Sequence, residues 1–165
     1  MDKIRQLKYE NLDEVMLLLK EATQKMISQG IDQWDTIYPD RQVIIEDIGG
    51  KCAYGYFEDK QLSGYVVVNE MYSSEYDQLT WSTQKGEFLV THRLTVKPDQ
   101  QGKGIAKQLM NFVADHAKRL GYRSIRLDAF SKNPGALHLY EQLGYTKRGM
   151  VQFRKGAFIC FEYEL

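Results

Sequence analysis

Proline is scarce in this sequence, at three residues in 165, and no internal repeat or low-complexity tract accompanies it, so a linker-like or disordered chain is excluded. Cysteine is scarcer still. Cys52 and Cys160 lie far apart, with no Cys-x-x-Cys pair and no histidine at ligand spacing. That argues against a zinc site or a redox motif, and no metal is expected; each cysteine reads as a small buried hydrophobe. Net charge is absent as well. With 22 basic and 22 acidic residues, no overall field draws the chain onto nucleic acid or an anionic membrane, and neither is expected as a partner. Long apolar runs are missing: nothing approaches the ~18 residues of a membrane span, and the opening MDKIRQLKYE is charged throughout rather than built like a secretory leader. A cytoplasmic location is the expectation.

What remains is an ordinary globular composition, 43% hydrophobic and 27% charged. A chain of this length buries roughly two-thirds of its unfolded surface, and a single domain over residues 1–165 is expected. Hydrophobic periodicity predicts a strand at 4–7, then a helix from a cap at Asn11 to about 29 with Leu12, Val15, Met16, Leu19 and Ala22 as its apolar stripe. A shorter helix begins near Asp40, with Val43, Ile44 and Ile48 inward, and stops at Gly49-Gly50. Segments 51–58 and 62–71 read as an antiparallel hairpin. The polar stretch 72–86 is long for a connection, a length that suits a substrate lid. A strand at 87–96, a helix at 104–120, a strand at 124–129, a helix at 134–143 and strands at 145–154 and 157–165 complete the pattern. The fold class predicted is α/β (α+β), with a mixed central sheet of about seven strands and about four helices, because a helix after the fourth strand forces a crossover while the hairpins stay antiparallel.

Between the fourth strand and the third helix stands Val96-Lys-Pro-Asp-Gln-Gln-Gly102-Lys-Gly104-Ile-Ala106. Gly102 and Gly104 allow the backbone to curl so that its N–H groups converge, the helix N-terminus adds partial positive charge, and Lys103 offers a full one. A diphosphate is the natural guest. The P-loop pattern fails because Gly102-Lys103 is followed by Gly104 rather than Ser or Thr. The dinucleotide fingerprint fails because Lys107 stands where the third glycine belongs and the preceding hairpins give the wrong topology. Gly-x-Gly alone is most often a plain turn. The fuller string VKPDQQGKGIA, however, resembles the acyl-CoA signature of the GNAT N-acetyltransferases. That resemblance implies that the backbone amides of Gln101, Gly102, Lys103, Gly104, Ile105 and Ala106 hold the CoA pyrophosphate and that Leu94 and Val96 lie along the pantetheine arm. Asp99 is a departure, since some members carry Gln or Arg three places before the first glycine.

A second stretch, Leu127-Asp-Ala-Phe-Ser-Lys-Asn133-Pro-Gly-Ala136-Leu-His-Leu-Tyr140-Glu-Gln-Leu-Gly144-Tyr145, resembles the same family's pattern of strand, Asn, helix and Tyr-x-x-x-Gly-Phe/Tyr. Both motifs stand in family order. Asn133 can cap the helix, and Tyr140, seven residues on, shares its face. The resemblance implies binding of acetyl-CoA as cosubstrate near both residues, in a sheet split near its fourth and fifth strands. A phenol near pKa ~10 can protonate a thiolate whose conjugate acid lies near ~8.5, which suits Tyr140 to CoA departure. The bland alternative is an aromatic packed on the sheet.

An attacking amine must lose a proton. Strand alternation puts His92, Leu94 and Val96 on one face, and His92 has a near-neutral intrinsic pKa. The string His92-Arg-Leu-Thr-Val96 also resembles the strand of arylalkylamine N-acetyltransferases whose histidine takes part in deprotonating the amine. Water, Glu87 and Glu70 are alternatives; His116 and His138 read as mid-helix surface or packing residues. Trp34, Tyr38 and Trp81, with Tyr76, Glu75 and Asp77, could line an acceptor pocket for a small-molecule or peptide amine. Trp34 and Tyr38 could equally anchor their loop. The sequence thus predicts direct acetyl transfer from acetyl-CoA to a primary amine that it does not name, with a non-catalytic acyl-CoA-binding sensor or interaction module as the alternative. The family resemblance also makes a second copy of the chain a candidate partner.

Overall fold

The computed structural model describes residues 2–165. A seven-stranded mixed sheet runs in the order β1-β2-β3-β4-β5-β7-β6, formed by β1 (Ile4–Gln6), β2 (Ala53–Glu58), β3 (Gln61–Asn69), β4 (Phe88–Val96), β5 (Ser124–Phe130), β6 (Thr146–Phe153) and β7 (Gly156–Glu164). Its helices are α1 (Leu12–Ser28), α2 (Arg41–Gly49), α3 (Ile105–Arg119) and α4 (Pro134–Gln142). The element order agrees with the sequence reading. The residues group into two compact units: 1–68 with 92–112, and 69–91 with 113–165. Strand β4 and helix α3 each contribute residues to both.

In the first unit, β1 and β2 pair antiparallel through Ile4–Tyr56, and β2 and β3 through Ala53–Val67. The hairpin turns at Asp59-Lys60, both at positive φ (47° and 68°), the geometry that matches strand twist in a two-residue turn. Its core joins Leu12, Val15, Leu18 and Leu19 of α1 to Ile44 and Ile48 of α2 and to Ala53, Phe57, Leu62, Tyr65 and Val67 of the strands. Asp40 caps α2, its Oδ1 accepting from the Val43 N–H at 2.9 Å. Asn11 does not cap α1. A 3-10 turn at Tyr9–Asn11 precedes that helix, and Asn11 Oδ1 turns back to accept the Lys8 N–H at 2.9 Å. Helix α3 approaches β3 closely at Gly64, where an added Cβ would stand 2.9 Å from both Ile105 Cγ2 and Leu109 Cδ1. The absence of a side chain there seats the first turn of α3 on the sheet.

In the second unit, β4 pairs parallel with β5 through Phe88–Ser124 to Val90–Arg126, β5 antiparallel with β7, and β7 antiparallel with β6. The stretch 72–86 is tied down rather than free to swing as a lid. Tyr76 is 1% exposed, the Trp81 indole N–H donates to the Tyr76 carbonyl at 2.8 Å, and Thr83 Oγ1 donates to Glu162 at 3.0 Å. Glu162 also accepts from the Ser82 N–H, the Ser124 hydroxyl and Arg148. The guanidinium of Arg126 lies over the rings of Phe88 and Trp81, 3.5 and 4.3 Å from their centroids. A cation on ring faces and a carboxylate saturated with donors hold this segment against the sheet.

Candidate active site

The glycine turn sits between β4 and α3 in the first unit. Pro98–Gln100 make one 3-10 turn, and Gly102 and Gly104 adopt φ of 80° and 79°, which a side chain would strain. The first helical bond runs from the Gln108 N–H to the Gly104 carbonyl at 3.0 Å, so the N–H groups of Ile105, Ala106 and Lys107 precede the helical ladder. Gln101 donates through Nε2 to the Val96 carbonyl at 3.3 Å, and Lys103 Nζ to Gln100 Oε1 at 3.0 Å; these two bonds close the turn on itself. Such a donor array at the N-terminus of a fifteen-residue helix fits an anionic diphosphate.

Upstream, the alternation assumed for β4 is broken. Arg93 has a φ of 53°, so His92 is separated from Leu94 and Val96 by a left-handed residue and the expected common face does not carry through. The left-handed conformation of a residue bearing a side chain costs about 1–2 kcal/mol, and a buried ion pair holds it. Arg93 Nε donates to Asp47 Oδ2 at 2.8 Å and Nη2 to Asp47 Oδ1 at 2.5 Å, while Nη1 donates to Tyr38 Oη at 2.7 Å. The Tyr65 hydroxyl donates to Asp47 Oδ2 at 2.9 Å. Burial works against the Arg93 charge, and the Tyr38 and Asp47 interactions more than offset it. Burial, together with the Asp47 charge, holds the Tyr65 phenol protonated, well above its ordinary range. Trp34 is 7% exposed and belongs to the core, whereas Tyr38 is 37% exposed. Of the two aromatics read from this loop, Trp34 therefore anchors it and Tyr38 presents its hydroxyl.

In the second unit, Asn133 Oδ1 accepts the Ala136 N–H at 3.2 Å and caps α4, as expected. Tyr140 is the buried residue of α4, its ring 5.8 Å from that of Tyr145 and 5.6 Å from that of Phe161. Burial first, and the Asp128 charge second, push the Tyr140 phenol well above its ordinary value. Asp128 was not singled out from sequence. Its Oδ2 accepts the Tyr76 hydroxyl at 2.6 Å, and it lies opposite Cys160 in the β5–β7 register. Burial pushes the Asp128 carboxyl up against the opposing pull of that hydrogen bond, and burial with the Asp128 charge raises the Cys160 thiol to about 12. A thiol so placed is inert at neutral pH. Local pattern could have suggested Asp128 only as one of two charged residues, with Arg126, on an otherwise largely apolar strand. His116, on α3, is lowered by burial and by Arg119.

Residues 15–145 match the model of the Acetyltransferase (GNAT) family. The L-methionine sulfoximine/L-methionine sulfone acetyltransferase of Salmonella typhimurium is 32% identical over 118 residues, 67% of this chain and 64% of that protein. The L-amino acid N-acyltransferase MnaT of Escherichia coli is 31% identical over 99 residues, 55% of this chain and 56% of that protein. The chain thus spans rather more than half the length of these two relatives. The crystal structure of an acetyltransferase of the GNAT family from Streptococcus agalactiae superposes with a TM-score of 0.88 at 28% identity, covering 98% of this chain and 94% of that one.

Proposed function

Because the chain belongs to the Acetyltransferase (GNAT) family, we propose that it is an N-acetyltransferase that moves the acetyl group of acetyl-CoA directly onto a primary amine. The observation that carries this reading is the glycine turn, with Gly102 and Gly104 in left-handed backbone at the head of α3. The backbone N–H groups of Gln101, Gly102, Lys103, Gly104, Ile105 and Ala106 are assigned to the CoA diphosphate, and Leu94 and Val96 to its pantetheine arm. Asn133 and Tyr140 are assigned to the cosubstrate as well, and Tyr38, Trp34 and Trp81 to the acceptor. Residues 1–165 act as one domain in this reading, since β4 and α3 are common to both units. A cytoplasmic location follows from the cosubstrate, a metabolite of the cell interior; among the described residues no helix is long and apolar enough to cross a membrane. A homodimer, the family's common state, belongs to the same reading and is checked by sedimentation.

In the reaction, the amine nitrogen bonds to the thioester carbonyl carbon, the carbon–sulfur bond breaks, Tyr140 gives its proton to the departing thiolate, and the amine proton passes to a base. His92 takes that role, directly or through water. Asp128, on β5, supports a second reading: its carboxyl accepts the Tyr76 hydroxyl at 2.6 Å and is pushed up by burial. The pH profile of kcat/KM separates them. Replacement of His92 with alanine is expected to lower kcat/KM by about 10²-fold and remove the acidic limb. Retention of that limb in His92→Ala with its loss in Asp128→Asn would move the role to Asp128.

The cosubstrate assignment is tested by calorimetry. Wild-type protein should bind acetyl-CoA, while Gly104→Ala, which forces a side chain into left-handed backbone at about 1–2 kcal/mol, should bind it roughly tenfold more weakly. Equal affinity of the two proteins would remove the turn from the binding site.

A further inference from the structure

The network around Arg93 ends in a hydroxyl whose proton is not engaged. Asp47 is engaged by two Arg93 nitrogens and the Tyr65 hydroxyl, all at the buried end. At the other end Arg93 Nη1 donates to Tyr38 Oη, and a phenol oxygen that accepts from a guanidinium keeps its own proton for another acceptor. Among the described residues Tyr38 Oη has no second hydrogen-bond partner. The neighbouring carboxylate of Asp35 is turned into its own loop, where Oδ1 accepts the Ile37 and Tyr38 N–H groups at 2.9 and 3.1 Å. Tyr38 is partly exposed, and through Arg93 it is tied to the strand position next to His92.

We infer that Tyr38 donates a hydrogen bond to an oxygen of the acceptor, and that the acceptor is an amine bearing a carboxylate, the amino-acid class, rather than a polyamine. An anionic oxygen at this point meets an O–H donor that is polarised by the guanidinium hydrogen bond its oxygen accepts. A second ammonium group there would face the positive end of the same dipole. Asp47 and Tyr65 are positioning residues in this scheme: they hold the guanidinium that fixes the phenol. The inference rests on the N-acetyltransferase reading and narrows its acceptor.

The test uses the 165-residue chain and acceptor pairs that differ only in the carboxylate, L-methionine with 3-(methylthio)propylamine and L-phenylalanine with phenethylamine, with spermidine beside them. Wild-type protein is expected to favour the carboxylate member of a pair by at least roughly tenfold in kcat/KM. Tyr38→Phe should reduce that preference by roughly tenfold, chiefly through KM for the carboxylate member, with acetyl-CoA affinity and melting temperature held. Equal losses on both members of a pair, or a wild-type preference for spermidine or for the decarboxylated amines, would overturn the inference and leave the acetyltransferase reading standing. Binding of acetyl-CoA with no transfer to any of these amines would overturn the inference, and the same failure with peptide amines would overturn the acetyltransferase reading as well.

Discussion

Replacing Tyr140 with phenylalanine is expected to lower kcat by about 10²–10⁴-fold, the range attached to losing a positioned proton donor, while acetyl-CoA binds within a few-fold of its wild-type affinity. The ring packs against Tyr145 and Phe161, and phenylalanine keeps those contacts, so the melting temperature should barely move. Burial and the Asp128 charge hold the wild-type phenol protonated well above its usual range. The sign of that shift matters: the acid form persists as pH rises, so kcat should show no loss from tyrosine ionisation up to about pH 10, where an ordinary phenol titrates. A loss smaller than about fivefold in Tyr140→Phe, or an alkaline limb near the ordinary tyrosine value, would leave the thiolate to be protonated by something else.

The second large effect falls on stability. Asp47→Ala removes the partner of Arg93 at a pair whose side chains are 6% and 11% exposed, and breaking a buried pair from one side costs about 3–5 kcal/mol. For a chain of this size that corresponds to roughly 6–20 °C in Tm. The loss comes from three sources: an unneutralised guanidinium, a Tyr65 hydroxyl without its acceptor, and a left-handed Arg93 without the bond that held it. A double variant, Asp47→Leu with Arg93→Met, should recover a substantial part, because it leaves no buried charge behind. Urea unfolding measures both; a single-variant loss below about 1 kcal/mol would mean the pair is not insulated from water.

The elements were legible in the sequence wherever a local signal decides them. Asn133 caps α4 as read, because a side-chain oxygen three residues before a free N–H is a matter of local geometry, and the start of α2 beside Asp40 was legible too. The turn at Gly102 and Gly104 was legible for the same reason. Asn11 misled because its side chain has two nearby uses, and the 3-10 turn before α1 takes it. Alternation along β4 misled because Arg93 is bent by a residue 46 positions away in sequence, a coupling no local pattern records. Asp128 and Tyr76 stand 52 positions apart, and Trp34 reaches the core through packing rather than periodicity. Side chains whose partners are remote were the ones read least well.

Acetyl transfer is read out by following CoA thiol release from acetyl-CoA by the purified chain, with and without amines, beside Tyr140→Phe. Release should depend on the amine, yield the N-acetylated acceptor in equal amount, and fall by at least about 10²-fold in the variant. Amine-independent release, or binding of acetyl-CoA without turnover by any amine of the amino-acid, polyamine or peptide classes, would contradict the acetyltransferase reading.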